Sequence, residues 1–447
     1  MVGKYKAYPE YKDSGVKWLG KIPKHWEANK TKWYCKVTDG SHHSPDIQLK
    51  GYPFISVTDI GENKIDFCNA KKISKSDYYR LVREGCKPSV GDILLTKDGT
   101  IGRACLVNVS MPDFVILSSL GLLTPKQQVL NKFLYYYLIS GINIDQMNSM
   151  IHGSALRRMT INKINELLFI CPEISEQQNI ANFLDYETSK IDMLIEKQQQ
   201  LIKLLEEKRQ AVISHAVTKG LNPNVSMKDS GVEWLGEIPE HWQIWKLAHA
   251  FEIIGSGTTP PSDTNDWYGD DINWVTTGEL REDIILSTSK KIKKKTLQYF
   301  STLKIYPKGT ILIAMYGATI GRLGILGESA TTNQACCALS NSNYLFNMYL
   351  FYWLISFRQE IIQLSSGGGQ PNINQEKVAA LKISTPTLEE QKEIISFLDQ
   401  ETLKLRHLIA KANKVIEFLK ERRTALISAA VTGKIDVRDW QAPTVMD

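Results

Sequence analysis

The sequence predicts an α+β protein built twice. Two α/β domains related by a pseudo-twofold axis are joined by two long antiparallel coiled-coil helices, a tandem internal repeat. Three observations predict it. Residues 175–220 and 388–434 are long stretches with no proline and no glycine except Gly220 and Gly433 at their ends, so nothing breaks a helix before its close. Their apolar residues recur every seven positions, a stripe that needs another helix to cover it. The segment DSGVKWLGKIPKHWE (13–27) returns as DSGVEWLGEIPEHWQ (229–243), identical at 11 of 15 positions, which marks a duplication.

The heptad pattern names the pairing residues. Leu184, Ile191, Leu205 and Val212 form one row of the first stretch, and Leu194 and Leu201 a second. In the other stretch Leu398, Leu405, Ala412, Leu419 and Leu426 form the first row, and Leu408, Val415 and Ala429 the second. Ile195, Ile202 and Ala216, with Ile409, Ile416 and Ala430, widen the stripe. Each stretch has one obvious partner, the other. Some 35 residues of helix span about 50 Å, which makes the pair a spacer as well as a core. Ser175 with Gln178, and Thr387 with Glu390, read as capping boxes at the helix starts.

Domain order follows. Residues 1–174 form a first domain with a Trp-bearing arm, 175–220 a central helix, and 221–387 a second domain. Residues 388–434 form a second helix and 435–447 a tail. The Gly/Pro/Asn-rich joint at 220–231 stands beside the Trp234 arm, and the tail is expected beside the Trp18 arm. Within each domain, 51–60 and 271–280 read as strands. Segments 91–104 and 309–323 read as hairpins ending in Ile-Gly-Arg, and 133–140 and 349–356 as short aromatic core helices. Short strand-like runs begin at Ile164 and Val378 and end at Pro172 and Pro386.

The 447 residues carry a formal net charge of +6, with 43% hydrophobic and 23% charged residues, so the chain is globular and permits nucleic-acid binding. Seven cysteines form no CxxC pair, which fits a reducing cytoplasm and excludes a zinc or disulfide framework. No apolar run is long enough to span a membrane. No complete phosphate-binding loop, dinucleotide fingerprint, HExxH, GxSxG or Asn/Asp-Pro-Pro-Tyr tetrapeptide occurs. Asp46, Glu62 and Lys64 match a loose metal-nuclease pattern that the second repeat lacks, and His42-His43 read as hydrogen-bond donors rather than metal ligands.

Binding chemistry remains. The loops 37–45 and 255–270 differ between the repeats far more than the frame around them, as expected of one scaffold reading two ligands. Thr38, Ser41, His42 and His43 on the first loop, and Ser256, Thr258 and Thr259 on the second, are residue types that read base edges. Lys97, Arg103, Tyr316 and Arg322 stand in or beside the hairpin turns. Arg157 and Arg158, and Gln370 after a glycine run, stand in equivalent later loops. Lys71 and Lys72, and the cluster Lys290, Lys291, Lys293 and Lys294, are basic at the same place in both repeats and suit phosphates. The bland alternative for each is a solvated surface charge.

The chain resembles the specificity (S, HsdS-like) subunits of type I restriction-modification enzymes. The residues behind this are the DSGVxWLGxIPxHW blocks, the TDGSHHSP loop, the hairpins ending in IGR, and the EQQ/EEQ…FLD helix starts. The closing runs at 208–218 and 422–432 add to it. The resemblance implies target-recognition domains that each read half of a bipartite double-stranded DNA site, with the helices setting the gap. It implies docking of two methyltransferase subunits, with two restriction-translocase subunits joining for cleavage. S-adenosylmethionine, ATP and Mg2+ belong to those partners, and this chain is non-catalytic and cytoplasmic. The competing readings are a self-contained metal-dependent nuclease and a protein-only coiled-coil adaptor.

Overall fold

The computed structural model describes residues 5–151, 157–262, 266–364 and 372–443. The chain divides into two compact units, one made of residues up to 199 together with those from 413 onward, the other of 200–412. Each unit holds one domain and half of each long helix.

In the first unit the arm is a two-stranded ribbon, Tyr11–Asp13 with Lys21–Pro23, followed by the fully buried Trp26. Strand Glu27–Lys30 pairs with Leu168–Cys171. A four-stranded antiparallel sheet runs in the order Cys35–Asp39, Leu120–Pro125, Ile93–Thr96, Ala104–Leu106. A three-stranded sheet joins Lys71–Ile73, Tyr52–Ile55 and Val115–Ile116, the last pair parallel. Helix Asn131–Ile139 buries Phe133, Leu134 and Tyr137 in one core with Ile180, Phe183 and Leu184 of the first long helix.

The second unit repeats the order. Its arm is Met227–Asp229 with Glu237–Pro239, and Gln243–Lys246 pairs with Lys382–Thr385. The main sheet has five strands, with Ile253–Ser256, Cys336–Ser340, Ile311–Ala314 and Leu323–Leu326 in the order of the first unit and a short Ile284–Ile285 added. Helix Asn347–Ser356 takes the place of Asn131–Ile139.

The two long helices are Ile174–Lys219 and Leu388–Val431. In the first unit Phe183 meets Trp440, just past the second helix, edge to face, while Asp192 pairs with Arg423 at 3.0 Å, so the helices run antiparallel. Leu184 and Ile191 share that core with Leu426 and Ala430. In the second unit Ile213, Ala216 and Val217 share a core with Ile394 and Leu398. Leu405 and Ala412 are also buried, whereas Leu205, Val212 and Leu419 are half-buried.

The second predicted row is not in the seam. Leu194, Leu201, Leu408 and Val415 are 48%, 42%, 48% and 41% exposed. The third row takes its place: Ile416 and Ala430 are buried, and Ile195, Ile202 and Ile409 half-buried. The reason lies in the other members of each row. The second row also carries Glu187, Lys208, Glu401 and Arg422, whose burial would leave charges unpaired. The third carries one charge in each helix rather than two, the exposed Arg209 and the Asp192-paired Arg423, together with Thr188 and Thr402, whose hydroxyls donate to Leu184 O and Leu398 O at 2.6 Å and bury readily.

Other local expectations change too. Residue 173 leads the first long helix, its carbonyl accepting from Glu176 N and Gln177 N, so Ser175 is already helical and caps nothing. Thr387 does cap, its Oγ1 accepting from Glu390 N at 3.3 Å. The runs expected as strands begin as short helices, Ile161–Glu166 and Gln375–Ala380, capped by Thr160 and Asn374. Only then do the strands follow. The tail packs on the arm, with Asp436 N donating to Lys6 O at 2.7 Å and Arg438 over the Tyr8 ring. Trp18 itself is 45% exposed; the ribbon's buried face is Ile22, Pro23 and Trp26.

Candidate nucleic-acid interface

The repeated motifs first explain how each domain is held on its helix. His25 Nε2 lies 2.9 Å from Glu176, and His241 Nε2 lies 2.9 Å from Glu390. Gln177 bonds Leu130 N, Gln128 O and Pro172 O; Gln391 bonds Phe346 N, Tyr344 O and Pro386 O. Both glutamines are fully buried, so the Glu-Gln pair at each helix start locks arm and domain together. Tyr8 donates to Glu176 at 2.6 Å, and its burial beside that carboxylate pushes its hydroxyl far above the usual range.

At one end of each main sheet three loops meet. In the first unit Lys97 N donates to Ser119 O, Met159 N to Lys97 O, and Gly99 N to Arg157 O. In the second, Met315 N donates to Ala335 O and Ile373 N to Met315 O. Asp98 bridges Arg158 as Tyr316 bridges Asn372. Gly40 and Gly257 hold equivalent places. A Cβ on Gly40 would meet Ile116 O at 2.5 Å, and one on Gly257 would meet Thr332 O at 1.8 Å. Only glycine lets the loop pass so close to the neighbouring strand.

On this common backbone the side chains differ. Asp39, His42, Lys97, Asp98 and Arg158 of the first mouth stand where the second has Ser256, Thr259, Met315, Tyr316 and Asn372. The first is a charged mouth: His42 pairs with Asp39 at 3.2 Å and Arg158 with Asp98 at 3.2 Å. The second is a neutral one of hydroxyls and amides. Thr259 bonds Gln334, the Tyr316 hydroxyl donates to Gln334 O at 3.1 Å, and Trp274 Nε1 donates to Thr258 O at 3.1 Å. Tyr268 closes that loop by donating to Pro260 O at 2.7 Å, and its burial raises the hydroxyl's pKa.

The structure therefore brings together Thr38, His42, His43, Arg157 and Arg158 in one domain, and Ser256, Thr258, Thr259 and Tyr316 in the other. Two candidates are corrected. Lys97 is only 2% exposed and lies 3.5 Å from Asp39, so it supports the mouth from beneath and does not meet a phosphate. Ser41 is buried, its hydroxyl spent on His43 O and His43 N. Arg103 and Arg322 sit at the same sheet end and are exposed, but Arg103 donates to Ile60 O at 3.2 Å. Gln370 lies outside the described residues.

Lys71 and Lys72 belong to the separate three-stranded sheet of their unit. Lys290, Lys291, Lys293 and Lys294 likewise lie on and beside strand Lys291–Ile292 of the second unit's smaller sheet. There Lys290 faces Tyr268 at 5.7 Å and Lys295 faces Trp267 at 5.8 Å. These are flanking basic surfaces with aromatic neighbours, suited to a phosphate backbone. Gln334, Asn372 and Asp98 join the mouths without having been singled out. The Asn333-Gln334 interruption of the apolar run 330–340 was the available signal for the first. Among the described residues no group of three or more His, Cys, Asp or Glu side chains is arranged for a metal ion, and no helix is long and apolar enough to cross a membrane.

Comparison with known proteins agrees with this duplicated architecture. A putative type I restriction enzyme MjaX specificity subunit from Methanocaldococcus jannaschii is 26% identical, over 94% of this chain and 96% of the relative. The EcoBI specificity subunit of Escherichia coli is 23% identical, over 70% of this chain and 67% of the relative. A solved chain, from a study of complex assembly and conformational transition of the type I R-M system, shares the fold. Its TM-score is 0.70 at 16% identity, with 93% of this chain and 99% of that one covered. The profile of the type I restriction modification DNA specificity domain matches residues 41–204 and 239–417, one copy in each repeat. The chain belongs to the type I restriction modification DNA specificity domain family.

Proposed function

We propose that this chain is the DNA specificity subunit of a type I restriction-modification complex, each domain reading one half of a bipartite site. The observation that carries this is the pair of mouths: one backbone frame, held by equivalent hydrogen bonds and equivalent glycines, presents charged groups in one domain and neutral hydroxyls and amides in the other. A duplicated scaffold that keeps its frame and changes the side chains at the mouth is suited to reading two different sequences. The exposed lysines of the smaller sheets flank the mouths and suit the phosphate backbone, whose contacts make affinity fall steeply with salt.

The helices supply the remaining surface. Met193, Leu194, Leu201 and Leu204 on the first, and Leu403, Leu408, Val415 and Phe418 on the second, are exposed apolar side chains. Apolar side chains repeated along an exposed helix face suit docking by helices of another chain. On this reading they receive two methyltransferase subunits. S-adenosylmethionine, ATP and Mg2+ act on partner subunits in the cytoplasm, and restriction-translocase subunits join for cleavage.

The test is selection from randomised duplex DNA by this chain co-purified with its methyltransferase subunit. A split motif with a fixed gap is expected. A single contiguous motif would mean that one domain reads bases and the other does not. No enrichment from an intact complex would leave a protein-binding adaptor.

A further inference from the structure

Within the 200–412 unit, a cavity of about 800 Å3 opens between the two long helices and the domain. The other unit provides an internal control for it. Tyr136 donates to Asp185 at 2.8 Å beside Thr188; Tyr352 donates to Asp399 at 2.6 Å beside Thr402. The two helix–domain junctions therefore match residue for residue up to this point.

They then part. In the first unit Arg423 donates to Asp192 at 3.0 Å, and the Tyr135 hydroxyl lies against the same guanidinium. The residues 214 positions away along each helix are Arg209 for Arg423 and Arg406 for Asp192. Phe351 stands where Tyr135 stood. An ion pair with a supporting hydroxyl has become two arginines and a phenyl ring. Arg209 and Arg406 both line the cavity, and among the described residues neither side chain makes an ion pair or hydrogen bond. Two like charges on facing helices repel unless an anion lies between them.

Among the described residues none of the carboxylates on the wall forms an ion pair with Arg209 or Arg406. Glu282 is held by Arg358 at 2.7 Å, Asp399 by Tyr352 at 2.6 Å, and Asp283 accepts from Ile284 N. Met348, Phe351 and Ile355 give part of the wall an apolar face, beside Gln210, Arg281 and Gln359.

We propose that this cavity binds a phosphate monoester, its phosphate between Arg209 and Arg406 and its organic body on Phe351, Met348 and Ile355. Guanidinium groups meet phosphate oxygens in a bidentate fork, and a dianion neutralises both cations at once. The proposal does not depend on DNA reading by either domain.

The experiment is calorimetric titration of the full chain in low-salt chloride buffer with adenosine 5′-monophosphate, inorganic phosphate and adenosine, each separately. Saturable one-to-one binding of the monophosphate is expected, with weaker, competing binding of phosphate and none of adenosine. R209Q and R406Q each weaken binding at least tenfold. R406D, which recreates the ion pair of the other unit, abolishes binding and raises Tm, so its loss is not a folding failure. D192N, in the other unit, leaves the affinity unchanged. Absence of saturation with both phosphate-bearing probes, or unchanged binding by R406D, overturns the site. Phosphate binding as tightly as the monophosphate overturns the seat for an organic body.

Discussion

Lys97 Nζ lies 3.5 Å from Asp39 Oδ1 beneath the first mouth, and the second mouth has Met315 and Ser256 at the same two places. The pair has been exchanged as a pair. Removing one partner leaves a buried, uncompensated charge, so Asp39→Ala is expected to cost about 3 kcal/mol. The double change Lys97→Met with Asp39→Ser, copying the other domain, should fall within about 1 kcal/mol of the parent. Urea unfolding of the three proteins checks this. A double variant no more stable than Asp39→Ala would refute the equivalence of the two frames.

The glycine beside each mouth gives a test of separate readers. Gly257→Ala forces a methyl group against Thr332 O, where an ideal Cβ would stand only 1.8 Å away. The loop 255–260 must shift, and with it Thr258 and Thr259. DNA selection with this variant should lose or relax one half-site and keep the other unchanged. Gly40→Ala should do the reverse. Loss of both half-sites from either change would show that the domains do not read independently.

Adding one heptad to each long helix lengthens each by about 10 Å at ~1.5 Å per residue. That is about three base pairs at ~3.4 Å each. The selected motif should keep both half-sites and widen its gap by that amount. An altered half-site would count against the helices as a spacer.

The cysteines separate by burial. Burial pushes the thiols of Cys35 and Cys337 up to about 12 and those of Cys86, Cys105 and Cys171 up to about 11. Burial raises the Cys336 thiol as well. At pH 8 these six hold little thiolate, the form that alkylating reagents attack, while Cys68 is exposed. Mass spectrometry after brief iodoacetamide treatment should find Cys68 modified alone, and all seven cysteines modified in denaturant. Reactivity of the six should rise with pH toward those values. Early native modification of Cys35 or Cys337 would contradict the packing.

Much of the fold was readable because the chain states it twice. The hairpins, aromatic helices and long helices recur in the same order at offsets of 218, 216 and 214 residues, and local pattern suffices to place them. What was unreadable depended on partners distant in sequence. Lys97 looked like a phosphate contact because it stands in a polar hairpin; Asp39, 58 residues earlier, is what buries it. The apolar rows containing Leu194 and Ile195 are equally good seams by periodicity. The choice between them turned on Thr188, whose hydroxyl bonds its own helix, against Glu187, whose charge must stay in water. Ser175 has the spacing of a cap but lies inside a helix that the residue-173 carbonyl already starts.

One unit is a single run of chain, 200–412, and the other is assembled from two separated runs. On the ribosome this inverts the usual order of events. The first domain is synthesised first, yet Leu426, Ala430, Asp436 and Trp440, which complete its core and brace its arm, emerge last. The contiguous unit can close while the earlier one still shows its unfinished face to solvent. A frameshift or stop codon in the second helix beyond residue 412 therefore damages the domain encoded farthest from it, and chaperone dependence should concentrate on the amino-terminal half during translation.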